Sequence, residues 1–153
     1  MLGAGEKGAV VLDVTPFYAL SGGQVGDSGI IVNGDNAFSV NDTNKNDDGV
    51  YIHSGEVKSG VASVGDKVSA EINEERRRSI MRNHTAAHLL QAALREVLGN
   101  HVEQAGQLVD ENVVRFDFTH FNALTDEEIA EVELLVNNFI LSATKVEMLE
   151  MPI

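Results

Sequence analysis

The sequence of 153 residues has no cysteine, no tryptophan and 2 prolines. Without cysteine, the chain cannot form a disulfide framework or a thiolate metal site. It also has no apolar run close to the roughly 20 residues that a membrane-spanning helix needs, and no signal peptide is visible. These absences argue against a disulfide-stabilised secreted protein and a membrane protein, and they favour a cytoplasmic globular protein.

Positive charge is also scarce, since 11 Lys and Arg against 24 Asp and Glu give a net charge of −13. Proteins that bind nucleic acids are usually basic, at least locally. Four of the basic residues are clustered within one segment: Arg76, Arg77, Arg78 and Arg82. The cluster predicts either contacts to phosphates or a solvated helix face balanced by neighbouring glutamates, and the sequence leaves both interpretations open.

The first part of the chain, residues 1–72, is rich in short β-type runs separated by glycine. Strands are predicted at residues 9–14, 29–32, 37–41, 50–54 and 67–72, with turns at 33–35 and 46–49. Several short strands at close spacing are typical of a small β-barrel. With 43% hydrophobic residues, the chain can bury one good core, which two small lobes could share.

In the second part, residues 73–153, the pattern changes to a helical period. A helix is predicted over residues 76–98, with Gly99 ending it in the left-handed conformation. A strand pair at 107–109 and 113–118 follows, with Phe116 and Phe118 facing the core and Arg115 and Asp117 forming a surface pair. Thr125 and Glu128 form a capping box before a second helix, and a last strand is predicted at 145–151. The apolar face of that helix comprises Ile129, Val132, Leu135, Val136, Phe139 and Ile140.

The segment NHTAAHLL, residues 83–90, places two histidines four residues apart in the first predicted helix. His84 and His88 therefore share one helix face, where two neutral imidazoles can bind one divalent ion, usually zinc, if other segments add ligands. A zinc protease helix would carry glutamate directly after the first histidine, but Thr85 stands there. The alternative interpretation is a pair of partly buried polar residues with local hydrogen bonds. The remaining histidines occur singly: His53, His101 and His120.

A glycine-rich segment, SGGQVGD, occupies residues 21–27. Gly22 and Gly23 permit positive φ angles and close approach of the backbone, so that the loop can present amides or the Gln24 side chain to a ligand. The segment is not a phosphate-binding P-loop, because the terminal G-K-[ST] is absent. The alternative is a tight turn between two strands.

Three segments in this order resemble the editing domain of alanyl-tRNA synthetases and their free-standing deacylase relatives. They are TPFYALSGGQVGD at 15–27, NHTAAHLL at 83–90, and HVEQAGQLV at 101–109 ahead of RFDFTH at 115–120. The resemblance runs from about Val10 to the end of the chain. It implies an α+β fold of the threonyl/alanyl-tRNA synthetase common-domain type, in which a small N-terminal β-barrel precedes a lobe of two helices against an antiparallel sheet. It also implies a fragment of a longer synthetase that begins with an added or fortuitous Met1 and ends inside the editing domain.

The resemblance further implies that His84 and His88 are two zinc ligands and that the others come from a Cys-x-x-x-His motif, which this sequence does not contain. The implied reaction hydrolyses the ester that joins a wrong amino acid, serine or glycine, to the acceptor end of tRNA(Ala), whereas ATP would bind only in a synthetase core outside this sequence. Gln104 is expected to position the substrate amino acid, and Thr85 to contact the serine hydroxyl or else to bond locally within its helix. The expected tRNA contacts are Gly22, Gly23, Gln24, Arg78 and Arg82.

Two other functions stay open from the sequence. One is a free-standing deacylase that acts in trans, and the other is a metal-free RNA-binding or structural module. The sequence does not indicate an oligomeric state.

Overall fold

The computed structural model describes residues 1–145 and 147 and has two helices with antiparallel sheets, which confirms the mixed α+β class. Seven strands lie in the first half: β1 (Leu2–Gly3), β2 (Lys7–Val10), β3 (Gly29–Asn33), β4 (Asn36–Lys45), β5 (Tyr51–Ser59), β6 (Val61–Ala62) and β7 (Ser69–Ile72). Five of them form one antiparallel sheet in the order β2-β5-β4-β3-β7, and β1 pairs with β6.

The core of this sheet consists of alternate strand residues and one loop residue: Phe17, Ile31, Phe38, Val40 and Val57. All five predicted strands are present, at bounds that differ by a few residues, and the two predicted turns are there. The two-residue strands β1 and β6 are too short to leave a pattern in the sequence. Pairing among the described residues does not close the sheet, so the barrel stays a prediction.

The helix that carries the histidine pair is α1 (Glu74–Leu98). It begins where the Asn73 side chain accepts a hydrogen bond from the backbone N of Arg76 at 3.0 Å, an N-cap that satisfies one free amide. The predicted end of the helix at Gly99 is confirmed and φ there is positive, but ψ is not that of the predicted left-handed helical conformation. Gly99 has φ 111° and ψ 167°, an extended conformation with positive φ that leads the chain towards Val102, whose N donates to the Gly99 carbonyl at 3.2 Å.

The second half adds a hairpin of β8 (Gln104–Val109) and β9 (Val114–Phe118) and the helix α2 (Asp126–Leu141). The capping box of Thr125 and Glu128 is confirmed, and Arg115 and Asp117 form the expected exposed pair. The two helices and the hairpin enclose a core of Ala93, Leu94, Val102 and Val132, with Phe116 and Phe118 packed against it.

Only part of the predicted apolar face of α2 is buried. Val132 is buried and Leu135 and Val136 pack against the core, but Ile129, Phe139 and Ile140 are exposed by 41–53%. Of the strand predicted at 145–151, the two described residues, Lys145 and Glu147, are not in a strand, and the others lie outside the described residues.

A third cluster joins the two halves of the chain. Val25 of the glycine-rich loop packs against Ile80 and Ala87 of α1 and against Val109 of β8. The loop therefore shares a core with the helix that carries the histidines, while the predicted boundary between residues 72 and 73 stays a prediction. Neither helix in the described part of the chain has the length and apolar character needed to cross a membrane.

Candidate active site

His84 and His88 lie one turn apart on α1 with their rings stacked. The ring centroids are 5.3 Å apart and the planes differ by 7°. His84 is half-buried and His88 is exposed. Burial, and secondly repulsion from His88, lower the pKa of His84 below its ordinary value of 6.5. His84 is therefore held in the neutral form, which is the form that binds metal ions.

Gln24 joins the glycine-rich loop to this pair. Its side chain is buried, and its Oε1 lies 2.8 Å from Nδ1 of His84. The loop backbone is fixed on both sides of Gln24, because Val109 donates to the Gly23 carbonyl at 2.8 Å and Val25 donates to the Val109 carbonyl at 3.0 Å. The loop thus extends the edge of β8, and Gln24 faces the helix.

A buried ion pair holds the far end of the loop. The Asp27 carboxylate is 2% exposed and accepts hydrogen bonds from the Arg77 guanidinium and, at 2.7 Å, from the backbone N of Tyr18. Hydrogen bonding to Asp27 raises the pKa of Arg77 above its ordinary value. Beside it, Arg76 donates to the Gly26 carbonyl at 2.8 Å and pairs with Glu111 at 3.1 Å.

The arginine cluster therefore divides into two pairs with different surroundings. Arg76 and Arg77 bind the loop, a role that the sequence analysis missed because the partners lie 50 residues away. Arg78 and Arg82 are exposed, the first paired with Glu74 at 2.9 Å and the second donating to Ser79. The pairing with Glu74 agrees with the solvated-face interpretation, and contact of these two arginines with RNA stays a prediction.

Gln104 is exposed and opens β8 opposite Phe118. Strand β8 runs antiparallel to α1, because the Val102 carbonyl is bound by Arg95 at 2.9 Å whereas the Asp110 carbonyl is bound by Asn83 at 2.7 Å. Gln104, two residues after Val102, therefore lies beside the C-terminal half of α1. No hydrogen bond among the described residues joins it to the histidines.

Two other polar side chains of α1, those of Thr85 and Gln91, lie within one turn of His88. Thr85 is half-buried, and within the described part of the chain its hydroxyl makes no hydrogen bond. Gln91, one turn after His88, donates to the Val102 carbonyl at 3.2 Å, and its Oε1 is buried without a partner among the described residues. The Thr85 hydroxyl is therefore free to form a hydrogen bond with a bound molecule, whereas Oε1 of Gln91 is closed off from one.

The described residues contain only part of a zinc site. Within residues 1–145 and 147, no group of three or more histidines, aspartates or glutamates could hold a metal ion. His53 is fully buried, with its ring nitrogens bonded to Thr15 and to the Val10 carbonyl, and His101 is bonded to His120. Structural and catalytic zinc sites use three or four protein ligands, so His84 and His88 would need partners from elsewhere.

The geometry of the pair fits this partial role. With Zn–N bonds of about 2.0–2.1 Å, each ring centre would lie about 3.2 Å from the ion, so centroids 5.3 Å apart suit two imidazoles on one ion. The lone pairs of parallel rings do not converge, however, and one ring has to turn. His88 is the exposed ring and is free to do so, whereas His84 is held by Gln24.

An apolar cavity lies elsewhere, in the N-terminal sheet. It has a volume of about 380 Å³ and is lined mainly by apolar residues, among them Leu12, Ile31 and Phe38. None of the predicted site residues borders it. The chemistry therefore points to the histidine face and not to this cavity.

Comparison with known proteins shows the family of the chain. The family model for class II (A) tRNA synthetases matches residues 1–76. An alanine–tRNA ligase from Cupriavidus necator is 53% identical over 90% of the chain. The chain belongs to the alanine–tRNA ligase family. The ligase of Acetivibrio thermocellus is 52% identical over 97% of the chain, and that of Dechloromonas aromatica 51% identical over 99%.

The chain spans 16–18% of the length of these ligases. The match with the Dechloromonas aromatica ligase covers 152 residues, so it includes the whole candidate site. The region aligned with this much longer relative thus spans the candidate site.

Proposed function

We propose that this chain is the part of an alanine–tRNA ligase that hydrolyses the ester joining serine or glycine to the 3′ end of tRNA(Ala). The observation that carries this proposal is the stacked pair of His84 and His88 on one face of α1, with His84 kept neutral and bonded to Gln24. Two imidazoles at this spacing are suited to holding a metal ion that acts on an ester.

His84 and His88 would hold zinc, with the remaining ligands supplied from outside the described residues. When bound, zinc polarises an ester carbonyl or lowers the pKa of a water molecule to about 7. The chain's own residues hold and orient the substrate. Gln104 would bind the amino acid through its side-chain amide.

Selection for serine requires a group that recognises its hydroxyl. The Thr85 hydroxyl, which has no partner among the described residues, would exchange a hydrogen bond with it. A pocket that forms a hydrogen bond with a substrate hydroxyl strongly rejects an analogue that lacks the hydroxyl. An apolar pocket, which distinguishes substrates by size alone, is much less selective. Seryl-tRNA would therefore be preferred to alanyl-tRNA, which lacks the hydroxyl. Hydrolysis of glycyl-tRNA, which also lacks it, would rest on a different contact.

The rest of the proposal follows from the family. The acceptor end of tRNA(Ala) would reach the histidines past the exposed Arg78 and Arg82, on the same helix, and past the loop containing Gly22 and Gly23. ATP would bind in another part of the ligase. Because tRNA is charged in the cytoplasm, the proposal places the chain there.

The test is hydrolysis of seryl-tRNA(Ala) by an alanine–tRNA ligase that carries this segment. His84→Gln and His88→Gln should each abolish the hydrolysis, because one metal ligand is lost. Charging of tRNA with alanine should persist in both variants, since it takes place at another site. Lys58→Gln, on the exposed surface of β5, serves as the control and should leave both reactions unchanged.

Unchanged hydrolysis in both histidine variants would refute the proposal. If tRNA binding by the segment persisted in that case, the metal-free RNA-binding module would be the better description.

A further inference from the structure

We propose that Gln24 is a positioning residue that fixes the tautomer of His84, with the proton on Nδ1 and the lone pair on Nε2. The role of this tautomer in metal binding rests on the proposed function. The tautomer itself rests only on the contact between the loop and α1.

The inference begins with the hydrogen-bonding capacity of the two groups. A neutral imidazole has one N–H donor and one acceptor nitrogen, and the partner of one nitrogen decides which is which. The Oε1 atom of Gln24 can only accept, and it lies 2.8 Å from Nδ1 of His84. Nδ1 therefore donates, and Nε2 keeps the lone pair that a metal ion or a substrate proton needs.

The position of Gln24 is strongly constrained, so the contact is built into the fold. The residue is 5% exposed, and its backbone N donates to the Ser21 carbonyl at 3.0 Å. The residues on either side are bonded to Val109 of β8. Gln24 therefore has little freedom to turn its amide away from the helix.

The same helix face binds the loop a second time. Arg77 precedes His84 by seven residues, about two turns, so the two side chains project from one face of α1. Arg77 binds Asp27 and His84 binds Gln24, three residues apart in the loop. The buried ion pair thus fixes the position of the loop along the axis of α1 and places Gln24 opposite His84.

The glycines of the loop serve this close docking. Gly23 has φ 77°, and a Cβ there would lie 2.3 Å from Cγ and 2.7 Å from the carbonyl oxygen of Gln107. A side chain at this position would push the loop away from β8. The glycine-rich segment is therefore explained by the need to bring Gln24 to His84.

The experiment measures the imidazole ¹⁵N shifts of His84 in this chain, labelled on histidine and free of metal, at pH 7.5. We expect protonated Nδ1 in the wild type and in Gln24→Glu, whose carboxylate also accepts. Gln24→Leu should lose this preference. The amide spectrum reports whether each variant is folded, and the tautomer of the wild type keeps the proposal falsifiable if Gln24→Leu fails to fold.

A wild-type His84 protonated on Nε2 would overturn the proposal, because the Gln24 amide would then be reversed. An unchanged tautomer in a folded Gln24→Leu would also overturn it.

The second readout is zinc affinity in an alanine–tRNA ligase that carries this segment. Loss of a group that orients a metal ligand typically weakens metal binding by about 10–100-fold, and we expect this range for Gln24→Leu but not for Gln24→Glu. Equal zinc affinity in all three proteins would overturn the role in metal binding. Failure of seryl-tRNA hydrolysis in the wild-type ligase would instead refute the proposed function and leave the tautomer result intact.

Discussion

Oε1 of Gln24 accepts a hydrogen bond from Nδ1 of His84 at 2.8 Å, although the two residues are 60 positions apart in the chain. This bond makes the glycine-rich loop and the histidine helix one structural unit. The unit is completed by the ion pair of Asp27 with Arg77 and by the docking of Gly23 on β8. Substitutions in the loop should therefore alter both folding and the histidine site.

Replacing Asp27 with alanine should lower the free energy of unfolding by about 3 kcal/mol, because it leaves Arg77 without its partner and the Tyr18 amide without its acceptor. Urea unfolding at pH 7 measures this change. The His84 imidazole shifts should change as well, since the loop is no longer held on α1.

Glu74→Ala is the matched control for that measurement, because it breaks another carboxylate–arginine pair on α1. The partners Glu74 and Arg78 have side chains that are about 70% exposed. The loss should be about 0.5 kcal/mol or less. Similar losses in the two variants would show that the pair of Asp27 and Arg77 has no special role.

Gly23→Ala should destabilise the protein more than Gly22→Ala. Both glycines have positive φ, 57° at Gly22 and 77° at Gly23, so alanine is strained by roughly 1–2 kcal/mol at either position. Only Gly23 would place its Cβ against Gln107, whereas nothing lies within 4 Å at Gly22. The clash adds about 1–3 kcal/mol.

Urea unfolding of the two alanine variants compares these costs directly. Hydrogen exchange of the Val25 and Val109 amides should also speed up in Gly23→Ala alone. Equal stabilities of the two variants would contradict the close docking of the loop on β8.

The pH dependence of stability should include a contribution from Asp110, in the turn between β8 and β9. Its Oδ1 accepts hydrogen bonds from the backbone N atoms of Asn112 and Val113 at 2.7 and 2.8 Å, and these bonds lower its pKa below the ordinary 3.8. The unfolded chain then takes up the proton first as the pH falls. The contribution is complete above pH 3.8 and is lost as the pH falls through the folded-state pKa.

Asp110→Asn keeps an Oδ1 acceptor and cannot titrate. The unfolding free energy of the wild type should therefore fall more steeply than that of the variant below pH 3.8. Comparing the two proteins cancels the titration of the other carboxylates. Parallel pH profiles would show that the turn does not depend on the charge of Asp110.

Arg78 and Arg82 should contact phosphates if the tRNA end reaches the histidines along α1. In an alanine–tRNA ligase that carries this segment, replacing both with alanine should weaken tRNA binding and reduce the log–log salt slope by about one unit per lost contact. Arg115→Ala, on the exposed face of β9, serves as the control. An unchanged affinity and slope in the double variant would leave the two arginines as a solvated helix face.

Local patterns in the sequence predicted most of the secondary structure. The helix of residues 74–98 and the capping box at Thr125 depend on contacts within a few residues, which spacing and residue type reveal. The end at Gly99 was predicted with the wrong backbone conformation, because the path of the chain towards Val102 is set by packing against α1.

The candidate site was predictable only in part for the same reason. The spacing of His84 and His88 within a helix is a local feature and identified the pair. The division of the arginines into Arg77, which binds Asp27, and Arg78, which faces solvent, depends on a loop 50 residues away. Sequence spacing could mark the glycine-rich loop as unusual but could not show that its glutamine contacts the helix.

The most direct test of the central claim is the rate of seryl-tRNA(Ala) hydrolysis. The rate is measured for this chain and for a full alanine–tRNA ligase that carries the segment, each with and without zinc. Because zinc needs three or four protein ligands and His84 and His88 are two, the ligase should hydrolyse the ester only with zinc. The chain alone should hydrolyse it negligibly. Equal, zinc-independent hydrolysis by the chain alone would contradict the account, since catalysis would then need no metal at the histidines.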